Sequence, residues 1–244
     1  QRIAPPPQQR SDVKQDFRDL LDNRPWLVLF TLALVIMITI VMRSGATVYY
    51  LKYYVGQPEL IGAFLGIYSV ALAVGAALTP LMTRFVEKKH LMVFLMATVG
   101  VLSCAMYFVP RDMIWLMFVV NTLIGLALGP KSPLAFSMYA DCADYTELKT
   151  GRRATALTFS AATFSQKLGG ALASAVIAWV LAGMGYVANQ AQSDASQMGI
   201  LLLLTVIPGV VAFVAAMVMR AYPLDDAALA GMQDTLAQRR AQAA

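Results

Sequence analysis

The chain has 244 residues, 59% of them hydrophobic and only 14% charged, with a formal net charge of +5. Charged side chains are about half as frequent as in an ordinary soluble domain, and a mean hydropathy of +0.62 leaves too little polar surface to solvate a water-soluble fold. Nucleic acid is excluded as a partner because the basic residues sit in short blocks between apolar stretches, and the two cysteines, Cys104 and Cys142, form no disulfide framework.

Residues 1–25 are expected to be a cytoplasmic linker. Pro5-Pro6-Pro7 marks an extended run. Ser11 then has the chemistry of an N-cap for a short amphipathic helix lying on the membrane surface. Val13, Phe17, Leu20 and Leu21 would share its apolar face, opposite Asp12, Lys14, Asp16, Arg18 and Asp19. The chain begins with Gln1 and its start carries no apolar signal-peptide core, which reads as a piece of a longer polypeptide.

Six apolar stretches follow, each near the roughly 20 residues that cross a hydrocarbon core: Trp26–Tyr50, Leu60–Thr83, Leu91–Val109, Met113–Met138, Ala154–Leu181 and Met198–Met219. The fold class expected is an all-α membrane protein, a six-helix transmembrane bundle over residues 26–219 followed by a polar cytoplasmic tail, 220–244. Lysine and arginine are distributed unequally between the two sides. Fourteen fall in the amino-terminal segment, the second and fourth loops and the tail, against Lys52 and Arg111 on the other side. By the positive-inside rule both termini are cytoplasmic, in a plasma (inner) membrane. Tyr49, Tyr50, Tyr53, Tyr54, Trp115 and Trp179 would form an outer aromatic belt, with Trp26 at the inner entry.

Three basic residues remain inside spans: Arg43, Lys131 and Lys167. A cation at the bilayer centre costs about 2.5–3.5 kcal/mol on insertion scales, and no Asp or Glu lies in the central parts of the six helices to offset it. Arg43 lies roughly 25 Å along its span. It either snorkels to the outer headgroups or serves a site. Lys167 lies roughly 20 Å in, on a face with Ser160, Thr163, Gly170 and Ser174, while Leu157, Phe164, Leu168, Leu172 and Val176 fall on the other. A small, polar stripe can be a packing seam, but the lysine within it favours a water-filled cavity. Lys131 stands in Gly129-Pro130-Lys131-Ser132-Pro133, where two prolines predict a kinked or unwound helix, as in transporter substrate paths. Asn121 and Gly125 extend a small-polar face ahead of it. Gly62-x-x-x-Gly66 and Gly125-x-x-x-Gly129 permit close helix contact. Nothing resembles an enzyme: the single histidine, His90, has no metal-ligand companions, and there is no His-Glu-x-x-His, Walker loop or nucleophile–base pair.

The segment Ala140-Asp141-Cys142-Ala143-Asp144-Tyr145-Thr146-Glu147-Leu148-Lys149-Thr150-Gly151-Arg152-Arg153 resembles the signature loop of the glycoside–pentoside–hexuronide:cation symporters, the melibiose-permease group of the major facilitator superfamily. Phe159 through Gly170 is similar to that family's eleventh helix, and Tyr49 through Gly56 is also typical. The resemblance implies helices seven to twelve of a twelve-helix fold, with an amino-terminal six-helix half of the same polypeptide as partner alongside the lipid bilayer. It implies substrate binding by Lys167 and the adjacent Thr163; Gln166, Lys131, Asn121 and Arg43 complete the substrate-binding candidates. It further implies a cytoplasmic gate at Asp141, Asp144, Tyr145, Lys149, Arg152 and Arg153. The coupling cation, Na⁺ or H⁺, is expected mainly in the amino-terminal half, with no other cofactor and no metal site here. The sequence departs from the group at Lys131-Ser132, where its sugar transporters can present an aromatic platform. The expected function is symport of a sugar, glycoside or sugar acid by alternating access. The rival is a self-contained six-helix membrane protein, a homodimeric half-transporter or an assembly module.

Overall fold

The computed structural model describes residue 18, residues 20–150 and residues 155–242, and every regular element among them is helical. Helix α1 (Arg24–Tyr49) starts where Pro25 supplies a preset φ, and the Asn23 Oδ1 accepts a hydrogen bond from the Trp26 amide at 2.9 Å. It runs into a π turn (Tyr50–Val55) that ends at Gly56, whose φ of 79° suits a residue without a Cβ. Then follow α2 (Ile61–Met82), α3 (Lys88–Ala105), α4 (Ile114–Leu128), α5 (Lys131–Thr150), α6 (Thr155–Gly183), α7 (Asp194–Leu204), α8 (Val206–Arg220) and α9 (Asp226–Gln242). Together they provide six segments long and apolar enough to cross a membrane, as the hydropathy pattern predicts.

Two crossings are each made of two helices. The fourth breaks at Gly129-Pro130, between α4 and α5, where the prolines led us to expect distortion; Pro133 then falls in the first turn of α5, where a missing N–H costs least. The sixth breaks at Thr205, whose φ/ψ of −114°/−84° lies outside the helical region. Pro208 explains that break: it has no N–H to offer the carbonyl of Leu204, four residues earlier.

Other expectations need correction. The segment Ala140 to Thr150 is the end of α5, not a loop. Its polar residues lower the hydropathy, yet Glu147, Leu148, Lys149 and Ala143 are ordinary helix formers and no glycine or proline interrupts them. The tail contains α9, whose Leu229, Met232 and Leu236 recur at helical spacing and are buried as α9 packs on α5. Tyr222, just beyond the last span, is buried with its hydroxyl 3.9 Å from Cys142 Sγ, and burial pushes its pKa above the usual range. The amphipathic helix expected from Ser11 lies almost wholly outside the described residues; Leu20 is buried whereas Leu21 is 49% exposed.

The aromatic belt is also smaller than expected. Trp115 and Trp179 are exposed, but Trp26 is buried, with its Nε1 donating to the Thr158 carbonyl at 3.4 Å. Tyr50 is buried and stacks on Tyr54 at 5.1 Å, and Tyr49 and Tyr53 both meet Tyr186 edge to face. These tyrosines hold the π turn to the loop after α6.

Helix α1 is central, packing chiefly on α6 and α8, while α3 packs on α8 and α2 on α4. The α2–α4 crossing depends on missing side chains. A Cβ on Gly129 would run into the Leu72 carbonyl oxygen, and one on Gly125 would lie 2.9 Å from the Tyr68 carbonyl oxygen. A Cβ on Gly62 or Gly66 would meet nothing within 4 Å. Of the two glycine pairs, the second is a helix contact, and the first meets no other element among the described residues. Gly125→Val is therefore expected to lower the midpoint of thermal unfolding in detergent, by the equivalent of about 1–3 kcal/mol of overpacking, with Gly62→Val close to wild type. Equal midpoints for the two variants would contradict this assignment.

Candidate functional site

The polar stripe on α6 does not pack against the other described elements. Ser160, Thr163, Lys167 and Ser174 are all exposed, and the Thr163 hydroxyl donates only to its own helix, to the Phe159 carbonyl at 3.0 Å. The seam that holds α6 in place is a different one: Ala162, Ser165, Gly169, Ala173 and Ile177, spaced by three or four residues and buried. A Cβ on Gly169 would collide with the Leu34 carbonyl oxygen of α1, so the two backbones touch there. Lys167 is thus held on a rigid, closely packed helix while its side chain faces away from the bundle of this chain.

Beside it, a cleft open to the outside lies between α1, α5 and α6. Lys131, Ser132 and Gln166 bring polar groups to it. Leu29, Ile36, Met37, Phe136 and Tyr139 supply most of the remaining wall. The break at Gly129-Pro130 puts Lys131 at the mouth of α5, half-buried. Its Nζ lies 4.0 Å from Met37 Sδ, a weak acceptor that cannot neutralise an ammonium. Phe136 stacks on Phe159, and Tyr139 meets both edge to face, so aromatic surface lines this region even though Lys131-Ser132 is not itself aromatic.

Arg43 and Asn121 are not part of that cleft. Arg43 is only 2% exposed and turned into the bundle rather than toward headgroups. Its Nη1 donates to the Leu204 carbonyl at 2.9 Å and to Ser103 Oγ at 3.3 Å, and its Nη2 donates to Asn121 Oδ1 at 3.2 Å. Asn121 in turn donates from Nδ2 to the Phe64 carbonyl at 3.0 Å. The Leu204 carbonyl is the one that Pro208 leaves without a helical donor. Arg43 and Asn121 therefore join α1, α2, α3, α4 and α7 from the inside. Ser103 drew no attention in the sequence. The readable signal was Pro208, which demands a buried donor for the carbonyl four residues before it.

At the far end of α5, Asp141 is buried and accepts a 2.8 Å ion pair from Lys88, the first residue of α3. Asn23 reaches the same helix: its Nδ2 donates to the Cys142 carbonyl at 3.0 Å and to Thr146 Oγ1 at 2.7 Å. Tyr145 and Lys149 line a cleft of about 490 Å³ with Asp22 and Asn23. Asp144 is half-buried on the same helix, whereas Arg152 and Arg153 lie outside the described residues. Lys88 and Asn23 were not expected in this cluster, because each comes from another helix start and nothing in the linear sequence couples them to residues 141–146. A double-mutant cycle of Lys88→Met and Asp141→Asn, read by thermal unfolding, is expected to give a coupling of about 0.5–3 kcal/mol, as for residues in direct contact. Strictly additive losses would mean that the pair contributes nothing together.

Comparison with known proteins gives the fold its family. The family model described as "MFS/sugar transport protein" matches residues 4–226. The chain is 33% identical over 223 residues to the inner membrane symporter YicJ of Escherichia coli (strain K12), covering 91% of this chain and 48% of that one. It is 33% identical over 184 residues to the isoprimeverose transporter of Lactiplantibacillus pentosus, 74% of this chain and 38% of the other. With the glucuronide carrier protein homolog of E. coli (strain K12) the identity is 27% over 207 residues, 84% and 45% of the respective chains. The chain spans about half the length of the first of these relatives. With its six apolar crossings, its broken fourth span and the Ala140–Arg153 segment, the chain is an integral membrane protein belonging to the MFS/sugar transport family, in the glycoside–pentoside–hexuronide symporter group.

Proposed function

We propose that this chain is the carboxy-terminal six-helix half of a cation-coupled symporter for a sugar, glycoside or sugar acid, working by rocking against an amino-terminal half around a site near the midplane. The observation that carries this reading is the exposed Ser160–Thr163–Lys167–Ser174 face of α6. A lysine in the middle of a membrane crossing requires water, a counter-charge or a polar ligand. No helix among the described residues covers it, and the chain spans half the length of its relative YicJ. Lys167 and Thr163 would bind substrate from α6, with Lys131 and Gln166 lining the adjoining cleft. The coupling Na⁺ or H⁺ would be held mainly by the other half. The Lys88–Asp141 end of the bundle, which also carries Asp144, Tyr145 and Lys149, would be cytoplasmic and would form part of the inner gate; the excess of Lys and Arg on that side supports both termini being cytoplasmic.

One observation favours a sugar acid. The cleft contains the Lys131 ammonium with only a thioether near its Nζ, and Lys167 faces outward without a carboxylate from this chain among its described contacts. A substrate carboxylate would supply the missing charge.

In the complete transporter, Lys167→Ala is expected to reduce uptake at least about tenfold, the worth of one lost charge-assisted hydrogen bond, and substrate is expected to protect Lys167→Cys from thiol labelling. Wild-type uptake in Lys167→Ala, with no labelling of the cysteine, would remove Lys167 from the site. For the sugar-acid reading, uptake of a glycoside and its uronate by wild type is compared with Lys131→Gln. The uronate is expected to lose more than the neutral glycoside, and equal losses would count against it.

A further inference from the structure

Arg43 carries more hydrogen-bonding capacity than its neighbours use. A guanidinium has five N–H groups in a fixed fork and does not deprotonate in proteins. Three hydrogen bonds leave from its two terminal nitrogens, to the Leu204 carbonyl, Ser103 and Asn121, and none of the acceptors is a carboxylate. Its Nε, fully buried, has no partner among the described residues. Tyr68, from α2, is in the same condition: the residue is 5% exposed and its hydroxyl has no partner among the described residues. Both residues border one cavity, together with Ser44, Thr47, Phe64, Leu65 and Asn121. Two orphan donors bordering one cavity are unlike ordinary core packing, where buried donors are nearly always satisfied.

The space between these side chains is small, with room for about one water-sized body. A sugar ring does not belong there; a single small ion, stripped of its water, does. The lining decides the sign of the ion. Thr47 spends its hydroxyl proton on the Arg43 carbonyl at 2.8 Å, and Asn121 has both ends of its amide engaged. What remains is the Nε–H of a permanent cation and a phenol O–H, together with Ser44, and among the described residues no acidic side chain lines the cavity. A cation would meet like charge. A small anion would satisfy both orphan donors and cancel a charge that otherwise stands alone in the membrane interior.

We propose that Arg43 Nε and the Tyr68 hydroxyl form a buried binding site for a small monovalent inorganic anion of the halide class, separate from the Lys131–Gln166 cleft. The anion completes the polar junction of α1, α2 and α4, and its occupancy stabilises the fold.

Chloride and bromide are the probes, with gluconate as the counter-anion too large for the cavity. Thermal unfolding of the intact protein in detergent, at constant sodium and ionic strength, is expected to show saturable stabilisation as chloride or bromide replaces gluconate. Tyr68→Phe keeps the ring and removes the donor. It is expected to weaken the apparent halide affinity about tenfold, the scale of one hydrogen bond to a charged group, while its unfolding midpoint in gluconate stays near that of wild type. Bromide anomalous density should lie within hydrogen-bond reach of Arg43 Nε and Tyr68 Oη. Identical unfolding in halide and gluconate would overturn the proposal. So would an unaltered halide affinity in Tyr68→Phe, or a cavity holding only water or a carboxylate from outside this chain.

Discussion

The bundle turns on a guanidinium inside the membrane. Arg43 could not be placed at the centre of an apolar bundle unless acceptors awaited it, and the carbonyl of Leu204 could not be left bare by Pro208 unless a donor reached it. Each deficit answers the other. Because the two residues are 161 positions apart, the bond fixes which way α1 rotates about its axis and how deep the break at Thr205 sits. Ser103 and Asn121 extend the same constraint to α3 and α4. A buried cation with neutral partners is costly to create and costly to disrupt. It therefore restricts the ways these helices can be arranged more sharply than apolar packing does in a solvent as apolar as the helices.

Around that junction, close approach replaces the hydrophobic effect. Gly125 and Gly129 let α4 lie against α2, and Gly169 lets α6 lie against α1, with backbone carbonyls where side chains would otherwise stand. The division of α6 follows from this. Its small residues are used up by the contact with α1, so the hydroxyls and the lysine one step round the helix are left over, on a face that this chain does not cover. The exposed Phe164 and Leu168 border the same face, so lysine and apolar surface are presented side by side.

The number and placement of the crossings was legible because hydropathy over twenty residues reports the solvent, and the solvent here is lipid. The break at Gly129-Pro130 was legible because proline chemistry is local. So was the polar face of α6, which needs only helical periodicity. What sequence could not provide was the far partner. Arg43 read equally as a snorkelling residue or a ligand, since the distinction lies in Leu204 and Ser103, both distant in the chain. Trp26 and Tyr50 read as interfacial anchors because their types are common there, while their burial depends on α6 and on the tyrosine cluster. The end of α5 was read as loop because hydropathy measures polarity and not helix propensity, and Asp141 through Lys149 are polar and helical at once.

The contacts at the start of α1 have a mechanical meaning. Asn23 ties that start to Cys142 and Thr146, Lys88 ties the start of α3 to Asp141, and α9 lies along the same stretch of α5. Three elements clamp one end of α5, leaving that end stiff. The opposite end of α5 meets α4 at Gly129-Pro130, where Pro130 and Pro133 leave two fewer backbone N–H groups than a continuous helix would have. Compliance in this crossing is concentrated there, next to Lys131, so a load applied at the clamped end bends the chain at the mouth of the cleft instead of dissipating along the helix.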